Sequence, residues 1–222
     1  MTAEARSALV TGGTGRVGGA IARQLEREGY QVLAAGRKDG DVSRPEEARA
    51  LVERCVAEQG RLDVLVNAAA NGFAPRPVEE LSEADWDSAF GAVAKGSFFV
   101  TQAAAPHLRR SDVALVVMIE DVASFQPWAS FAAHCAAKAA QAMLTRVLAK
   151  ALAPEIRVCG IAPGTVATAA DQEERRARET VLGRIGTPQD VADAVVYLLG
   201  ARFVTGSTIV VDGGRLIAPA QR

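Results

Sequence analysis

A glycine-rich turn near the N-terminus has the residue types and spacing to bind a dinucleotide. The segment TGGTGRVG, residues 11–18, follows an apolar run and opens a predicted helix. Gly12, Gly13 and Gly15 allow a tight turn and a close approach of the backbone to phosphate, and Gly18 lets the helix lie near the strand. The N-terminus of a helix directs N–H groups and a positive dipole end at an anion. A glycine turn alone is weak evidence, but its place between strand and helix favours a pyrophosphate site.

Two basic residues after the second predicted strand indicate which dinucleotide binds. Arg37 and Lys38 follow the apolar run at residues 31–35. An NAD site usually has a carboxylate there, which binds the ribose 2′-hydroxyl. A guanidinium and an ammonium suit a 2′-phosphate instead. We therefore expect NADP(H) as the cofactor, with NAD(H) less favoured, and a basic surface turn is the alternative without a binding role.

The elements that must position these residues alternate between strand and helix. Apolar runs predict strands at 7–11, 31–35, 62–66, 114–119, 156–161 and 208–211. Periodicity and capping residues predict helices from Val17 to Gly29, from a capping box at 43–46 to Gly60, from Ser82 onward, and over 131–152 and 187–199. The charge-dense stretch 171–179 is expected to be a solvated helix or a mobile lid.

Strands without polar alternation, separated by helices, indicate a parallel sheet covered on both faces. Because crossover connections are right-handed, we expect an α/β three-layer Rossmann fold with a doubly wound sheet. The chain of 222 residues is expected to form one domain over residues 1–222.

Composition excludes several classes of protein. The formal net charge is −1, which argues against nucleic acid or an anionic membrane as a partner. The longest apolar runs have strand length, so no membrane span is expected. Three cysteines without a CxxC motif, together with two histidines, predict a cytoplasmic protein and no metal site.

Motifs along nearly the whole chain resemble those of the short-chain dehydrogenases/reductases. They stand in family order as TGGTGRVG (11–18), Asp41-Val42, NAAA (67–70), Lys138, IAPGTVAT (161–168) and VTGSTIVVDGG (204–214). The resemblance implies an NAD(P)-dependent oxidoreductase with a small-molecule substrate. It also implies a homodimer or homotetramer that pairs through the faces of the long helix.

The same resemblance implies a set of cofactor contacts. Asp41 and Val42 would contact adenine, Asn67 and Ala69 would line the cofactor, and Lys138 would bond the nicotinamide ribose. The full expected set is Thr11, Gly12, Gly13, Thr14, Gly15, Arg16, Val17, Gly18, Arg37, Lys38, Asp41, Val42, Asn67, Ala68, Ala69, Lys138, Pro163, Gly164, Val166 and Thr168.

A finer resemblance is to the pteridine reductase branch of this family. Arg16 stands where most relatives have the middle glycine, and the segment from Phe73 to Pro77 is similar to the FxPxP motif of that branch. Asp121 takes the place of the usual catalytic Ser, at the family spacing of 138 − 121 = 17 from the Lys. The branch implies that Phe73 stacks on a pterin beside Arg16, Asp121 and His134. The alternative is that Arg16 and Phe73 are chance variants within a broad family.

The active site departs from the family pattern at its proton donor. His134 stands four residues before Lys138, where relatives carry Tyr, and Val93 stands where relatives carry Asn. Residues i and i+4 share a helix face, so His134 and Lys138 should point together. The imidazole is shorter than a phenol by about 1.5–3 Å, which a bridging water could span.

The chain also looks shorter than its relatives between the first and third predicted strands. Thr11 and Asn67 are 67 − 11 = 56 positions apart, about twenty fewer than the resemblance implies. We therefore expect the second helix and third strand of the family to be shortened or missing, which leaves a sheet of six to seven strands.

Three functions are compatible with these residues. The first is an NADPH-dependent reductase that transfers hydride to a small planar substrate, pterin-like or another C=N or C=O compound, with Asp121, His134 and Lys138 as catalytic residues. The second is a repurposed enzyme in which Asp121 and His134 do non-redox acid/base chemistry. The third is a non-catalytic NADP-binding protein.

Overall fold

The apolar runs of the sequence form one parallel sheet in the part of the chain that the structure describes. The computed structural model describes residues 5–72, 74–166 and 170–218. The strands are β1 (Ser7–Thr11), β2 (Gln31–Ala35), β3 (Val64–Asn67), β4 (Leu115–Ile119), β5 (Arg157–Pro163) and β6 (Thr208–Val211). Their order is β2-β1-β3-β4-β5-β6, and each neighbouring pair is parallel. The predicted strands are therefore confirmed, with ends that differ by one or two residues.

Helices cover both faces of this sheet. They are α1 (Arg16–Arg27), α2 (Pro45–Gln59), α3 (Glu83–Phe90), α4 (Ser97–Leu108), α5 (Ala132–Leu152), α6 (Glu173–Ala177) and α7 (Pro188–Gly200). One apolar cluster joins the sheet to α2, α4 and α5, and a second joins the opposite face to α1 and α7. The three-layer, doubly wound Rossmann fold is confirmed.

Burial explains why the strands read as unbroken apolar runs. Every residue of β1, β3 and β4 is buried, because helices pack on both sides of the central strands. The parallel register also brings the C-terminal ends of these strands to one edge, where Thr11 pairs with Asn67. Ligands of open α/β sheets bind outside that edge.

The sheet ends at β2, as the short spacing between Thr11 and Asn67 predicts. After β2 the chain makes a short turn at Arg37–Asp39 and enters α2 directly. It then returns as β3 on the other side of β1. The shortening leaves six strands within the described residues, and β2 is an edge strand.

The predicted start of α2 is wrong in detail. A capping box from Ser43 to Glu46 was expected, but Arg44 is the N-cap residue and Pro45 occupies the first helical turn. The Ser43 backbone N–H donates instead to Asp41 Oδ1 at 3.0 Å. Proline fixes φ and has no N–H to satisfy, so it sets the helix start in place of the serine.

The helix predicted from Ser82 is capped as expected, but it is interrupted by a π-helical turn after Phe90. Ser82 Oγ accepts from the Asp85 N–H at 3.2 Å, and Asp85 Oδ2 accepts from the Ser82 N–H at 3.1 Å. After α3 a π-helical turn spans Gly91–Gly96 before α4 continues to Leu108. Within the described residues, no helix is long and apolar enough to cross a membrane.

Candidate active site

The glycine turn is packed so closely that side chains are excluded from it. Gly12 has φ of +67°, and a Cβ there would lie 2.5 Å from the Ala68 carbonyl oxygen. A Cβ on Gly18 would lie 2.2 Å from the Gly12 carbonyl oxygen, so α1 begins in direct contact with the turn. Gly13 lies beneath the turn, where a Cβ would meet the Ala34 Cα at 2.7 Å. The turn and helix start therefore form a backbone cradle of the kind that binds phosphate.

A cavity of about 270 Å³ opens beside this cradle. Among the predicted cofactor residues, its lining includes Thr11, Gly12, Thr14, Gly15, Arg37, Asp41, Val42, Ala68 and Ala69. Arg16 and Lys38 are exposed outside this lining, Val17 packs against the core on the α1 side, and Gly18 is buried at the helix start. The structure thus brings the N-terminal motifs together around one space.

Polar side chains fix the walls of this cavity. Thr11 Oγ1 accepts from the N–H groups of Ala68 and Ala69 at 3.2 and 3.3 Å. Arg37 donates to Asn71 Oδ1, which links the two sides of the cavity. Hydrogen bonds from the Ser43 side chain and backbone hold the pKa of Asp41 below its usual value, so this wall carries a carboxylate.

Asn67 lies at the end of β3 but is turned into the core. Its side-chain amide donates to Thr101 Oγ1 at 3.0 Å and to the Met118 sulfur at 3.4 Å. The residue is 1% exposed. Asn67 therefore ties β3 to α4 and β4, and its expected contact with a cofactor stays a prediction.

Asp121 and His134, thirteen residues apart in sequence, come together beyond the end of β4. Asp121 caps the short turn Val122–Ser124, where its Oδ1 accepts from the Ala123 N–H at 2.8 Å. Its other oxygen, Oδ2, lies 3.4 Å from Nε2 of His134 in the first turn of α5. The His134 side chain is 7% exposed and that of Asp121 is 21% exposed. The pair is thus a largely buried carboxylate–imidazole contact.

Lys138 follows His134 by one helical turn and is buried. Its Nζ donates to the Ile119 carbonyl at 2.7 Å and to Gln141 Oε1 at 3.0 Å. A lysine ammonium has three N–H donors, so these bonds use two of them. Burial lowers the pKa of Lys138 to about 8, an effect that the charges of Asp121 and Glu120 oppose.

The pKa of Lys138 predicts how stability changes with pH. Between the folded value of about 8 and the ordinary 10.5, the unfolded chain holds a proton that the folded chain has released. Stability therefore rises with pH across this window by roughly 3 kcal/mol, and below pH 8 the full penalty of the buried charge is present. Denaturant titrations of the wild type and Lys138→Met at a series of pH values isolate this contribution. A difference between the two proteins that stays constant from pH 8 to 10.5 would contradict it.

A second cavity, of about 250 Å³, reaches His134 from between α3 and α5. Val93, at the position where the family resemblance implies Asn, lines it from the π-helical turn. Asn71 lines this cavity and the first one, so the two spaces are neighbours. Gly72 and Ala74 also line it, whereas Phe73 between them lies outside the described residues.

The segment after β5 forms another part of the same edge of the sheet. Pro163 ends β5, and a Cβ on Gly164 would lie 2.9 Å from the Asp212 Cα, so this turn packs on the strand end of β6. Val166 packs on the core beside α1 and α7. Thr168, expected at the nicotinamide end, lies outside the described residues.

Three residues that the sequence analysis did not place at the site adjoin it. Glu120 is 2% exposed and accepts from Thr145 Oγ1 at 2.6 Å and from Thr208 Oγ1 at 3.0 Å, and burial raises its pKa. The Trp128 ring stacks on His134, with centroids 6.2 Å apart and planes at 10°. The Arg215 guanidinium lies 5.0 Å from the Trp128 ring centroid. The only sequence signal for these contacts is proximity to motifs, since Glu120 precedes Asp121 and Arg215 follows the last glycine pair.

Acidic and imidazole groups near the site do not gather as metal ligands. Among the residues that the structure describes, there is no group of three or more His, Cys, Asp or Glu side chains that could hold a metal ion.

Comparisons with known proteins match nearly the whole chain. A family model described as enoyl-(acyl carrier protein) reductase matches residues 38–215. Tropinone reductase-like 3 of Erythroxylum coca is 33% identical over 242 aligned positions, which cover 95% of this chain and 93% of that relative. Short-chain dehydrogenase/reductase SDRA of Arabidopsis thaliana is 31% identical over 243 positions, covering 95% and 94%. Both alignments exceed 222 positions, so these relatives carry residues that this chain lacks.

The fold is likewise found among solved structures. A 7α-hydroxysteroid dehydrogenase, in complex with NADH and 7-oxo glycochenodeoxycholic acid, superposes with a TM-score of 0.88. The match covers 94% of this chain and 93% of that one, at 25% sequence identity. The cradle and the strand ends described above thus belong to a fold that holds a nicotinamide dinucleotide in that protein.

Proposed function

From the premise that this chain belongs to the short-chain dehydrogenase/reductase family, we propose that it is an NADPH-dependent reductase of a small planar substrate. Family membership makes the protein an oxidoreductase that acts on a small molecule. The substrate we propose is pterin-like or another compound with a reducible C=N or C=O bond. The 250 Å³ cavity next to His134 supports this proposal, because it adjoins the 270 Å³ cavity through Asn71.

The site has features that fit a dinucleotide. Side chains at Gly12 and Gly18 would clash with neighbouring backbone, so bare backbone forms the turn beside the cavity, and the start of α1 directs backbone N–H groups there. Thr11, Asp41 and Val42 line the space into which the adenosine end would extend. We propose that Lys138 holds the nicotinamide ribose with its third N–H, and that Pro163, Gly164, Val166 and Thr168 border the nicotinamide end.

The observation that carries the catalytic proposal is the contact between Asp121 Oδ2 and His134 Nε2. When bound, the nicotinamide supplies hydride to the substrate carbon. As the π electron pair of the C=N or C=O bond moves to the heteroatom, that atom takes a proton through Asp121, which receives one from the protonated ring of His134. Solvent then returns a proton to the neutral imidazole, so each turnover consumes one hydride and one proton. A C=N substrate is favoured, because its nitrogen is basic and needs a weaker acid than a ketone oxygen does.

Arg37 provides a test of the cofactor preference. Replacing Arg37 with alanine is expected to weaken NADPH binding by about 10- to 100-fold, because the charge-assisted bonds to the 2′-phosphate are lost. NADH, which lacks this phosphate, should bind almost unchanged. Fluorescence titration of both cofactors measures the effect, and Arg109→Ala, exposed at the end of α4, is the control for net charge. An equal loss for NADH and NADPH would contradict a 2′-phosphate role.

One experiment tests the function as a whole. Purified protein is titrated with NADPH and NADH, and its turnover is then assayed with dihydropterins and imines. We expect tight NADPH binding and oxidation of NADPH in the presence of at least one of these substrates. Failure to bind either cofactor would overturn the reductase proposal. Binding without turnover would favour the non-redox enzyme or the non-catalytic NADP-binding protein.

We also propose a cytoplasmic homodimer or homotetramer that pairs through α5. Met143 and Val147, one turn apart on α5, are 53% and 51% exposed, which gives the helix an apolar outer face. Cys55, Cys135 and Cys159 are free thiols, as is usual in a reducing compartment. A monomeric mass in light scattering, or recovery of the protein outside the cytoplasm, would contradict the respective part of this proposal.

A further inference from the structure

Arg215 joins three segments at the edge of the sheet where Asp121 lies. Its Nη1 donates to Thr165 Oγ1 at 2.8 Å, in the loop after β5. Its Nη2 lies 3.0 Å from Glu179 Oε2, just beyond α6, and its guanidinium covers the Trp128 ring in the loop before α5. The side chain is 12% exposed. A charged group held this deeply among three loops requires anionic partners at close range.

The partner that Arg215 has is shared with other cations. Glu179 also accepts from Arg176 Nη1, at 3.2 and 3.0 Å to its two oxygens, and from Arg175 Nη1 at 3.2 Å. One carboxylate therefore serves three guanidinium groups. The four side chains of this cluster carry three positive charges and one negative charge.

Two other carboxylates near Arg215, those of Asp212 and Asp121, accept hydrogen bonds from other groups. Asp212 accepts from the N–H groups of Gly214 and Leu216, at 2.7 and 2.8 Å. Asp121 faces the Ala123 N–H and His134. The charges of both acids act on Arg215 from nearby, but Glu179 is the carboxylate in ion-pair contact with its guanidinium.

We propose that Arg215 binds a carboxylate group of the substrate, and that in the free protein the Glu179 carboxylate occupies the position of that group. The inference rests on the proposed reductase function and names the substrate class more closely, as a planar compound that carries a carboxylate. Exchange of Glu179 for a substrate carboxylate leaves Glu179 paired with Arg175 and Arg176. The exchange therefore replaces one ion pair by another and leaves no carboxylate without a cation.

The position of Trp128 connects this anchor to the catalytic pair. Trp128 contacts Arg215 and also stacks on His134, and His134 in turn contacts Asp121. A substrate anchored at Arg215 would therefore lie beside Trp128, with its reducible bond towards Asp121.

Trp128 also supplies the measurement. The chain has two tryptophans, so a Trp86→Phe background leaves Trp128 as the single reporter. This protein is titrated with benzoate and with benzamide, its uncharged analogue, without cofactor, and the emission of Trp128 is followed. We expect benzoate to bind at least tenfold more tightly than benzamide. Arg215→Met and Arg215→Lys should each remove most of this preference, and circular dichroism verifies that both variants fold.

Glu179→Gln is the decisive variant. Loss of the Glu179 carboxylate should strengthen benzoate binding if Glu179 competes with the ligand for Arg215, and weaken it if the ion pair only holds Arg215 in place. If Glu179 competes with the ligand, the neutral side chain tightens benzoate binding by about three- to tenfold. Arg178→Met, which removes an exposed guanidinium paired with Glu174, is the matched control and should change nothing. Equal binding of benzoate and benzamide, or weaker benzoate binding by Glu179→Gln, would overturn the proposal. Since no cofactor or turnover is involved, these results are independent of the test of reductase activity.

Discussion

Asp121→Asn is expected to lower kcat by about 10²- to 10⁴-fold and to leave NADPH affinity unchanged. Asparagine has nearly the same shape, and its side-chain oxygen can still accept from the Ala123 N–H, which Asp121 meets at 2.8 Å. The amide has no acidic proton to give to the substrate heteroatom and cannot relay one from His134. The fold of the turn is thus kept and only the proton transfer is removed. Steady-state oxidation of NADPH with an active dihydropterin or imine measures the change.

The control for this variant is the same Asp-to-Asn change at a position without a proposed role in catalysis. Asp112→Asn alters an exposed carboxylate before the start of β4, at the opposite end of the strand from Asp121, and should leave kcat intact. A normal kcat in Asp121→Asn would remove Asp121 from the mechanism. In that event the proton would have to come from His134 directly or from solvent.

Gly18→Ala is expected to destabilise the fold and abolish tight NADPH binding. The added Cβ would lie 2.2 Å from the Gly12 carbonyl oxygen and 2.7 Å from its carbonyl carbon. Gly12 cannot retreat, because it packs on the Ala68 backbone on its other side. Helix α1 must therefore move away from the turn, at a cost of about 1–3 kcal/mol or more. The N–H groups at the start of α1 would then no longer point at the pyrophosphate, and we expect NADPH affinity to fall more than tenfold.

Gly19→Ala, one residue later in the same helix, is the matched control. Its Cβ would meet the Gly13 carbonyl oxygen at 3.2 Å and the flexible end of Arg23 at 3.4 Å. Alanine is favoured over glycine in helices by about 1 kcal/mol, which offsets this crowding. Urea denaturation and NADPH titration should therefore separate the two variants clearly. Equal behaviour would show that contact between the turn and the helix does not govern binding.

Elements whose signals are local were predicted from the sequence. The central strands are buried on both faces, so their apolar runs mark them without ambiguity. Thr187 caps α7 and Ser82 caps α3 in the predicted way, because a capping residue and its partner lie three positions apart. The start of α2 was missed, since Ser43 and Pro45 carry competing signals and the proline prevails.

The π-helical turn at Gly91–Gly96 could not be predicted in the same way. The apolar positions Trp86, Phe90 and Val93 fit an ordinary helical stripe, and one inserted residue does not disturb that pattern. The turn depends on tertiary packing: a Cβ on Gly96 would lie 2.8 Å from Val42, and Val93 is 2% exposed. Periodicity carries no information about such contacts between distant segments.

The candidate site divides in the same manner. Motif residues such as Thr11, Gly12 and Ala68 were predicted because the turn that holds them is encoded in a few consecutive positions. Arg215 was not, because its place depends on where three separate loops meet. The pairing of Asp121 with His134 lies between these cases, since the family resemblance assigned both residues to the site and the meeting of β4 with α5 brings them into contact.

The early end of the sheet at β2 has a consequence for solubility. Edge strands expose unpaired backbone groups to other chains, and proteins commonly protect them with charged residues or proline. Neither QVLAA in β2 nor TIVV in β6 contains such a residue, and Val210 in β6 is 42% exposed. These two edge strands are protected from pairing with other chains only by being short, at five and four residues. When the protein is heated or concentrated, we therefore expect chains to associate first through β2 and β6. Its resistance to heat would then be set by the rate of irreversible unfolding and not by the free energy of unfolding.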